Sequence, residues 1–312
     1  MFFSYGEILP QRCKDRRVQS LTDLDLDGCL FTRPGCAAKI RFDFHLFFTY
    51  YVDMILVGTS GFQYRDWVPV FYPASLDPGD WLEHYSRHFS CCELGFTCYR
   101  IPEPIQIQQL IDGSGGSLQF VFRVPSRLCA GPFGKDDSAR EFVSALWPLK
   151  EAGQLGAVVA RFDPGFTFIR DNFNTLCRLQ ESLDGIPLVA EFGCPDWLTA
   201  RAAKHLSARR LGLACVDGGV SLSEPTFYCA TADVAYVRFQ GRKQSRWVQG
   251  DGSEQHDYLY SRAELASAVP HIRRLSEQCE RVFVLTNNPW RGQAAVNARM
   301  LLELLGGNDA DR

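Results

Sequence analysis

Residues 157–192 read AVVARFDPGFTFIRDNFNTLCRLQESLDGIPLVAEF. Two short β-branched and aromatic runs, Ala157 to Phe162 and Leu188 to Phe192, bracket a longer segment. That is the pattern of parallel strands joined by helices. The same alternation recurs on both sides. Further strands are expected at Ile55 to Gly58, Cys91 to Leu94, Gln119 to Val124, Leu213 to Val216, Ala235 to Phe239 and Val282 to Leu285. The total of eight is the number that closes a barrel. Helices are signalled by Trp81, Tyr85 and Phe89 on one face, and by Phe142, Leu146 and Leu149 within Arg140 to Leu149. A third runs from Ala294 to Leu305 and stops at Gly306 and Gly307. The connection from strand six to strand seven, Asp217 to Asp233, reads mostly as loop. The fold class expected is therefore α/β, a (β/α)8 TIM barrel over residues 54–306, with 307–312 as a C-terminal tail.

Composition fits one such domain, with 46% hydrophobic and 22% charged residues in a chain of 312. A net charge of −3 excludes a surface that is basic all round and traps nucleic acid or anionic lipid. The twelve cysteines are scattered rather than densely spaced, so they read as reduced thiols in a cytoplasmic protein. Cys91, Cys92 and Cys98, even with His88, match no zinc spacing and read as small buried hydrophobes. His84 and His88 share a helix face that precedes strand two, away from the strand ends, and read as packed or solvated.

Residues 1–53 differ from the rest. The apolar run Leu46 to Val52 is too far from the start for a signal peptide and far short of the ~20 residues that span a bilayer, so no membrane association is expected. Asp23, Asp25, Asp27 and Gly28 imitate the opening of a calcium loop, but the twelfth position is Pro34 where a bidentate Glu belongs. Met54 directly precedes the first strand. The expectation is that translation begins there and that residues 1–53 are disordered or a mis-called gene start. They carry seven basic and seven acidic residues, so the charge argument is unchanged without them.

In a barrel of this kind the chemistry lies where the strands end, because the strand-to-helix loops converge on one face. The strand ends offer Thr59 and Ser60, Glu93, Arg123, Arg161, Glu191, Asp217, Arg238 with Gln240, and Asn287 with Asn288. Charged groups are rarely buried without partners, so these acids and arginines are expected to pair, bind a ligand, or both. A ring of salt bridges with no further role is the competing reading for any single pair.

Gly58-Thr59-Ser60-Gly61-Phe62 with Tyr64 and Trp67, then Phe71-Tyr72-Pro73, resembles the opening signature of the domain-of-unknown-function 72 (YecE-like) family. Collinear matches follow. They are Glu93 with Thr97, Tyr99, Arg100 and Pro102; Glu191-Phe192 with Trp197; Asp217; Tyr236-Val237-Arg238 with Gly241; Tyr260-Ser261 with Glu264-Leu265; and Asn287-Asn288 with Ala294 and Asn297-Ala298. The resemblance spans Met54 to Leu305. It implies a barrel similar in shape to sugar isomerases and abasic-site endonucleases, an analogy of fold that does not carry function. It also adds Tyr99 and Arg100 to the candidate ligand contacts.

The chain departs from that family's pattern at five places. It has Gly95 for Asn, Pro125 for Lys, Arg161 for Gln, Gly193-Cys194 for Arg-His, and Gln240 for His. The last removes the obvious proton shuttle at neutral pH.

Two functional classes follow. In the enzyme reading, a hydrolase or isomerase, Glu93, Glu191 and Asp217 supply acid–base groups or metal oxygens. Thr59, Ser60, Tyr99, Arg100, Arg123, Arg161, Arg238, Gln240, Asn287 and Asn288 would hold a phosphorylated or otherwise anionic substrate. Acids without histidines suit Mg²⁺ or Mn²⁺ over Zn²⁺. In the binding reading the site holds a small anion without turning it over. A single-stranded nucleic-acid version uses Arg242, Lys243, Arg246 and Trp247, offset by Asp251, Glu254 and Asp257. No nucleotide cofactor is expected, because Asp112-Gly113-Ser114-Gly115-Gly116 precedes a strand and reads as a turn.

Overall fold

Strands buried on both faces need apolar side chains at nearly every position, and β-branched and aromatic residues fit that surface. In the computed structural model, which describes residues 55–129, 137–218, 226–242 and 257–306, eight segments meet this demand. They are β1 (Ile55–Ser60), β2 (Cys91–Leu94), β3 (Gln119–Arg123), β4 (Leu155–Phe162), β5 (Leu188–Phe192), β6 (Gly212–Asp217), β7 (Val234–Phe239) and β8 (Arg281–Thr286). All pair in parallel and in chain order, and β8 returns to β1, closing the barrel. Each expected strand is present, with ends displaced by at most two residues. β1 runs past Gly58 because Thr59 and Ser60 still pair with Cys92 and Glu93 of β2.

The helices cover the outside. They are α1 (Trp81–Ser86), α2 (Pro104–Gly113), the short α3 (Ser126–Cys129), α4 (Ser138–Glu151), α5 (Arg170–Ser182), α6 (Ala200–Ala208), α7 (Arg262–Ser276) and α8 (Gln293–Gly306). Local chemistry starts several of them. Capping boxes join Glu103 to Gln106 at α2 and Ser261 to Glu264 at α7, and the Thr199 side chain caps α6. Between β6 and β7 the described residues 226–233 hold no helix. None of the described helices is long and apolar enough to cross a membrane.

Alternation along each strand creates two cores. One set of side chains, including Phe120, Phe122, Ala160, Leu213 and Val237, meets the helices. The other, including Leu56, Cys91, Val121, Val159, Val189, Ala214, Tyr236, Phe283 and Leu285, fills the barrel. The filling is close enough to demand glycine at Gly156, where a Cβ would sit 2.3 Å from the end of the Phe283 ring. His84 and His88 pack edge-on against Phe71 at 5.2 and 5.4 Å between ring centroids, so that face is packed.

The N-terminal extension with its calcium-like run lies outside the described residues, as do the C-terminal tail and Lys243, Arg246, Trp247, Asp251 and Glu254.

Candidate functional site

Beyond the apolar filling, the inward positions of six strands turn polar. Glu93 follows Cys91, Arg123 follows Val121, Arg161 follows Val159, Glu191 follows Val189 and Arg238 follows Tyr236, while β1 contributes Ser60. Period-two alternation puts these side chains in one layer at the carboxyl ends of the strands. Register agrees, since Arg161 pairs with Glu191 and Ser60 with Glu93.

Glu93, 1% exposed, is fully engaged. Its Oε1 accepts a hydrogen bond from Arg123 Nε at 3.1 Å, and its Oε2 accepts from Arg238 Nη2 and from the Tyr236 hydroxyl. Arg238 Nη2 also donates to the Tyr236 oxygen, and Nη1 reaches Ser60 Oγ at 3.5 Å. Burial alone would raise the pKa of Glu93, but the charges of Arg238 and Arg123, with the bonds from Arg238 and Tyr236, take it down to about 2. Burial opposes the charge on Arg238, yet Glu191 and Glu93 hold its pKa well above the usual value. Burial keeps Tyr236 protonated, so its hydroxyl is a permanent donor.

Glu191 sits in the same layer under different conditions. Arg238 Nε lies 3.1 Å from its Oε2 and Arg161 Nε lies 3.5 Å from its Oε1. Distance counts the first contact as an ion pair, while alignment leaves both Oε2 and Arg238 Nε without a hydrogen bond among the described residues. We regard it as a Coulombic contact, since a hydrogen bond weakens steeply once its angle closes. Its Oε2 is thus sealed beside a positive charge without a hydrogen bond, whereas Oε1 is not sealed.

Three guanidinium groups thus face two carboxylates, leaving one positive charge in excess. The excess lies toward solvent, because the side-chain exposure is 54% for Arg161, 18% for Arg123 and 0% for Arg238. The donor set does not fit Mg²⁺ or Mn²⁺, which take several oxygen ligands each. Only two acids meet here, both facing guanidinium groups, and no group of three His, Cys, Asp or Glu side chains gathers among the described residues.

The structure does not bring Asp217 to this layer, which corrects the reading of strand ends as one ring. Val216, its neighbour in β6, pairs with Arg238 and packs on the barrel filling, so Asp217 takes the opposite parity and faces the helices. There Arg242 Nε and Nη2 grip its two oxygens at 2.8 and 2.6 Å, with Tyr260 at 2.8 Å and Thr226 at 3.0 Å. Burial would raise its pKa, and those four bonds and the Arg242 charge lower it. Arg242 is thereby tied to Asp217, which removes it from the basic group expected to meet a nucleic-acid strand.

Thr59 and Asn288 also fall away from the layer. Thr59 is bonded to the Tyr85 hydroxyl at 2.9 Å, and Asn288 donates to Asn297 and the Tyr258 carbonyl. Asn287 and Gln240 extend the strand ends, their backbone N–H groups donating to Phe239 and Asp217. In the loop after β2, Tyr99 is 88% exposed and Arg100 donates to Gln106. Tyr236 belongs to the layer through its hydroxyl. Its position two residues before Arg238, on the same strand face, was the available signal.

Known proteins resemble this chain over most of its barrel. Residues 56–312 match the family model described as Protein of unknown function DUF72. The UPF0759 protein YunF of Bacillus subtilis is 27% identical over 270 residues, covering 81% of this chain and 95% of YunF. The UPF0759 protein YecE of Escherichia coli is 28% identical over 98 residues, 31% of this chain and 34% of YecE. A crystal structure of a DUF72 family protein from Thermotoga maritima superposes with a TM-score of 0.72 at 32% identity, covering 81% of this chain and 100% of that one.

Proposed function

The chain belongs to the DUF72 family, and from that premise we propose that the carboxyl face of its barrel binds a small anionic compound on Arg161 and Arg123. The observation that carries this reading is the charge imbalance of the buried layer, with its excess on the most exposed guanidinium. Guanidinium groups offer paired, planar donors suited to carboxylate and phosphate oxygens.

Turnover is the second reading, and Glu191 favours it. Its Oε2 is sealed, but its Oε1, 3.5 Å from Arg161 Nε, is open to take a proton or orient a hydroxyl of a bound compound, in the manner of a hydrolase or isomerase. Glu93 is not suited to that work, because three donors and a pKa near 2 hold it ionised and occupied.

Calorimetric titration with inorganic phosphate, sulfate and citrate tests the binding reading. Arg161→Ala is expected to weaken the best of them by about tenfold or more, as befits a charge-assisted hydrogen bond. Equal affinity in the variant, or no binding of any anion, overturns it. Turnover is tested on a panel of phosphate esters and sugar phosphates, where Glu191→Gln must abolish any activity found while leaving the fold intact.

A further inference from the structure

Resting on that anion-binding reading, we infer that Gly95 is a specificity-determining position of the site: by carrying no side chain, it keeps the terminal nitrogens of Arg123 open to the bound anion. Arg123 spends one donor inside the layer, from Nε to Glu93 Oε1 at 3.1 Å. Its two terminal nitrogens have no hydrogen-bond partner among the described residues, and neither is sealed from solvent. They can therefore donate to a ligand held by Arg161, which stands on the next strand and faces the same way.

Other glycines around the barrel have reasons in the fold. A Cβ at Gly58 would meet the Cys91 carbonyl oxygen at 1.8 Å, and one at Gly193 would meet Pro164 and the Phe162 carbonyl oxygen at 3.0 and 3.1 Å. Gly61 holds a φ of +82°, which side chains rarely adopt. Gly95 has neither reason. It follows β2 directly, partly exposed, with φ −87° and ψ −16° in the right-handed helical region open to every side chain. A Cβ there would come within 4 Å of the Arg123 side chain alone, at 3.8 Å from Cδ and 4.0 Å from Nε, both ordinary van der Waals distances. Where the backbone suits another residue, replacing glycine stabilises a protein by restricting its unfolded chain, so the fold alone does not favour glycine here. A larger side chain would start against the stem of Arg123, and an aromatic one would be drawn onto the guanidinium plane. The terminal nitrogens would then be covered, leaving the anion to Arg161.

Gly95→Phe and Gly95→Ala test this by calorimetry with inorganic phosphate, sulfate and citrate. Both variants are expected to melt close to the wild type. For the anion that the wild type binds best, Gly95→Phe is expected to lose at least about tenfold in affinity, as for one charge-assisted hydrogen bond, and Gly95→Ala is expected to lose less. The loss must run through Arg123. Arg123→Gln alone should therefore weaken binding to a similar degree, and adding Gly95→Phe to it should change affinity by less than about twofold, since the two act on one contact. If Gly95→Phe does not fold, Gly95→Leu takes its place under the same criteria; failure of both to fold shows that the fold itself requires glycine and overturns the inference. Wild-type affinity in the folded variant, or a full further loss on top of Arg123→Gln, overturns it while leaving the anion site in place. If the wild type binds none of the three anions, the anion site itself falls, and this role of Gly95 with it.

Discussion

Replacing Glu93 by Gln removes the most deeply buried carboxylate among the described residues. The carboxylate that faces Arg238 and Arg123 becomes neutral, and Arg238, fully buried, keeps Glu191, in an unaligned contact, as its acidic partner. Removing one partner of a buried ion pair costs about 3–5 kcal/mol. The pKa gives a second route to the same figure. A carboxyl lowered from 4.5 to about 2 contributes roughly 3 kcal/mol at neutral pH. Because the folded pKa lies below the unfolded one, this stability is complete above pH 4.5 and is lost as the pH falls toward 2. Urea unfolding, followed by fluorescence of the buried Trp67 and Trp197, should show the loss at pH 7. The variant's stability should also vary less than the wild type's through the acid range. Tyr236→Phe should be coupled to Glu93→Gln by about 0.5–3 kcal/mol in a double-mutant cycle, as expected for residues sharing one hydrogen-bond network. A loss under about 1 kcal/mol, with additive effects of the two substitutions, would refute the view that this network is well satisfied.

Asp217→Asn should lower stability by about 1–3 kcal/mol, since it weakens the two-pronged bond from Arg242, and it should leave anion affinity within twofold of wild type. A selective change in affinity at unchanged stability would contradict the outward placement of Asp217. Gly58→Ala places a Cβ 1.8 Å from the Cys91 carbonyl oxygen in the neighbouring strand, a backbone clash that should cost more than about 4 kcal/mol or prevent folding. A wild-type melting curve for that variant would refute the β1–β2 register.

The barrel was legible because strands and helices differ in period and length, and each unit of the chain repeats the contrast. The layer was only partly legible. Parallel strands are apolar on both faces, so β6 (Gly212–Asp217) shows no alternation from which parity could be read. Asp217 consequently looked like its neighbours on the rim, although the Val216–Arg238 pairing turns it outward. Thr59 and Asn288 were misplaced for the same reason. β7 was different: Arg238 was easily recognised, and one step of two residues along the strand leads to Tyr236, the hydroxyl that locks Glu93. The inequality of Glu93 and Glu191 has no counterpart in the sequence, because it depends on how Arg238 is aimed across the barrel.

That aim explains the division of labour. Between β7 and β2 around the barrel stand β8 and β1, and β1 contributes only the small Ser60 to this layer, so the Arg238 side chain can cross to Glu93. Its terminal nitrogens are then committed to Glu93, Tyr236 and Ser60, and only Nε is left facing Glu191. One guanidinium thus fixes the rigid half of the layer and leaves the other half short of a hydrogen bond. Arg123 and Arg238 against Glu93 and Glu191 would be electrically balanced; Arg161 supplies the excess charge. On this argument Arg161→Gln keeps the locked Glu93 and leaves the layer neutral. That variant should bind small anions far more weakly by calorimetric titration.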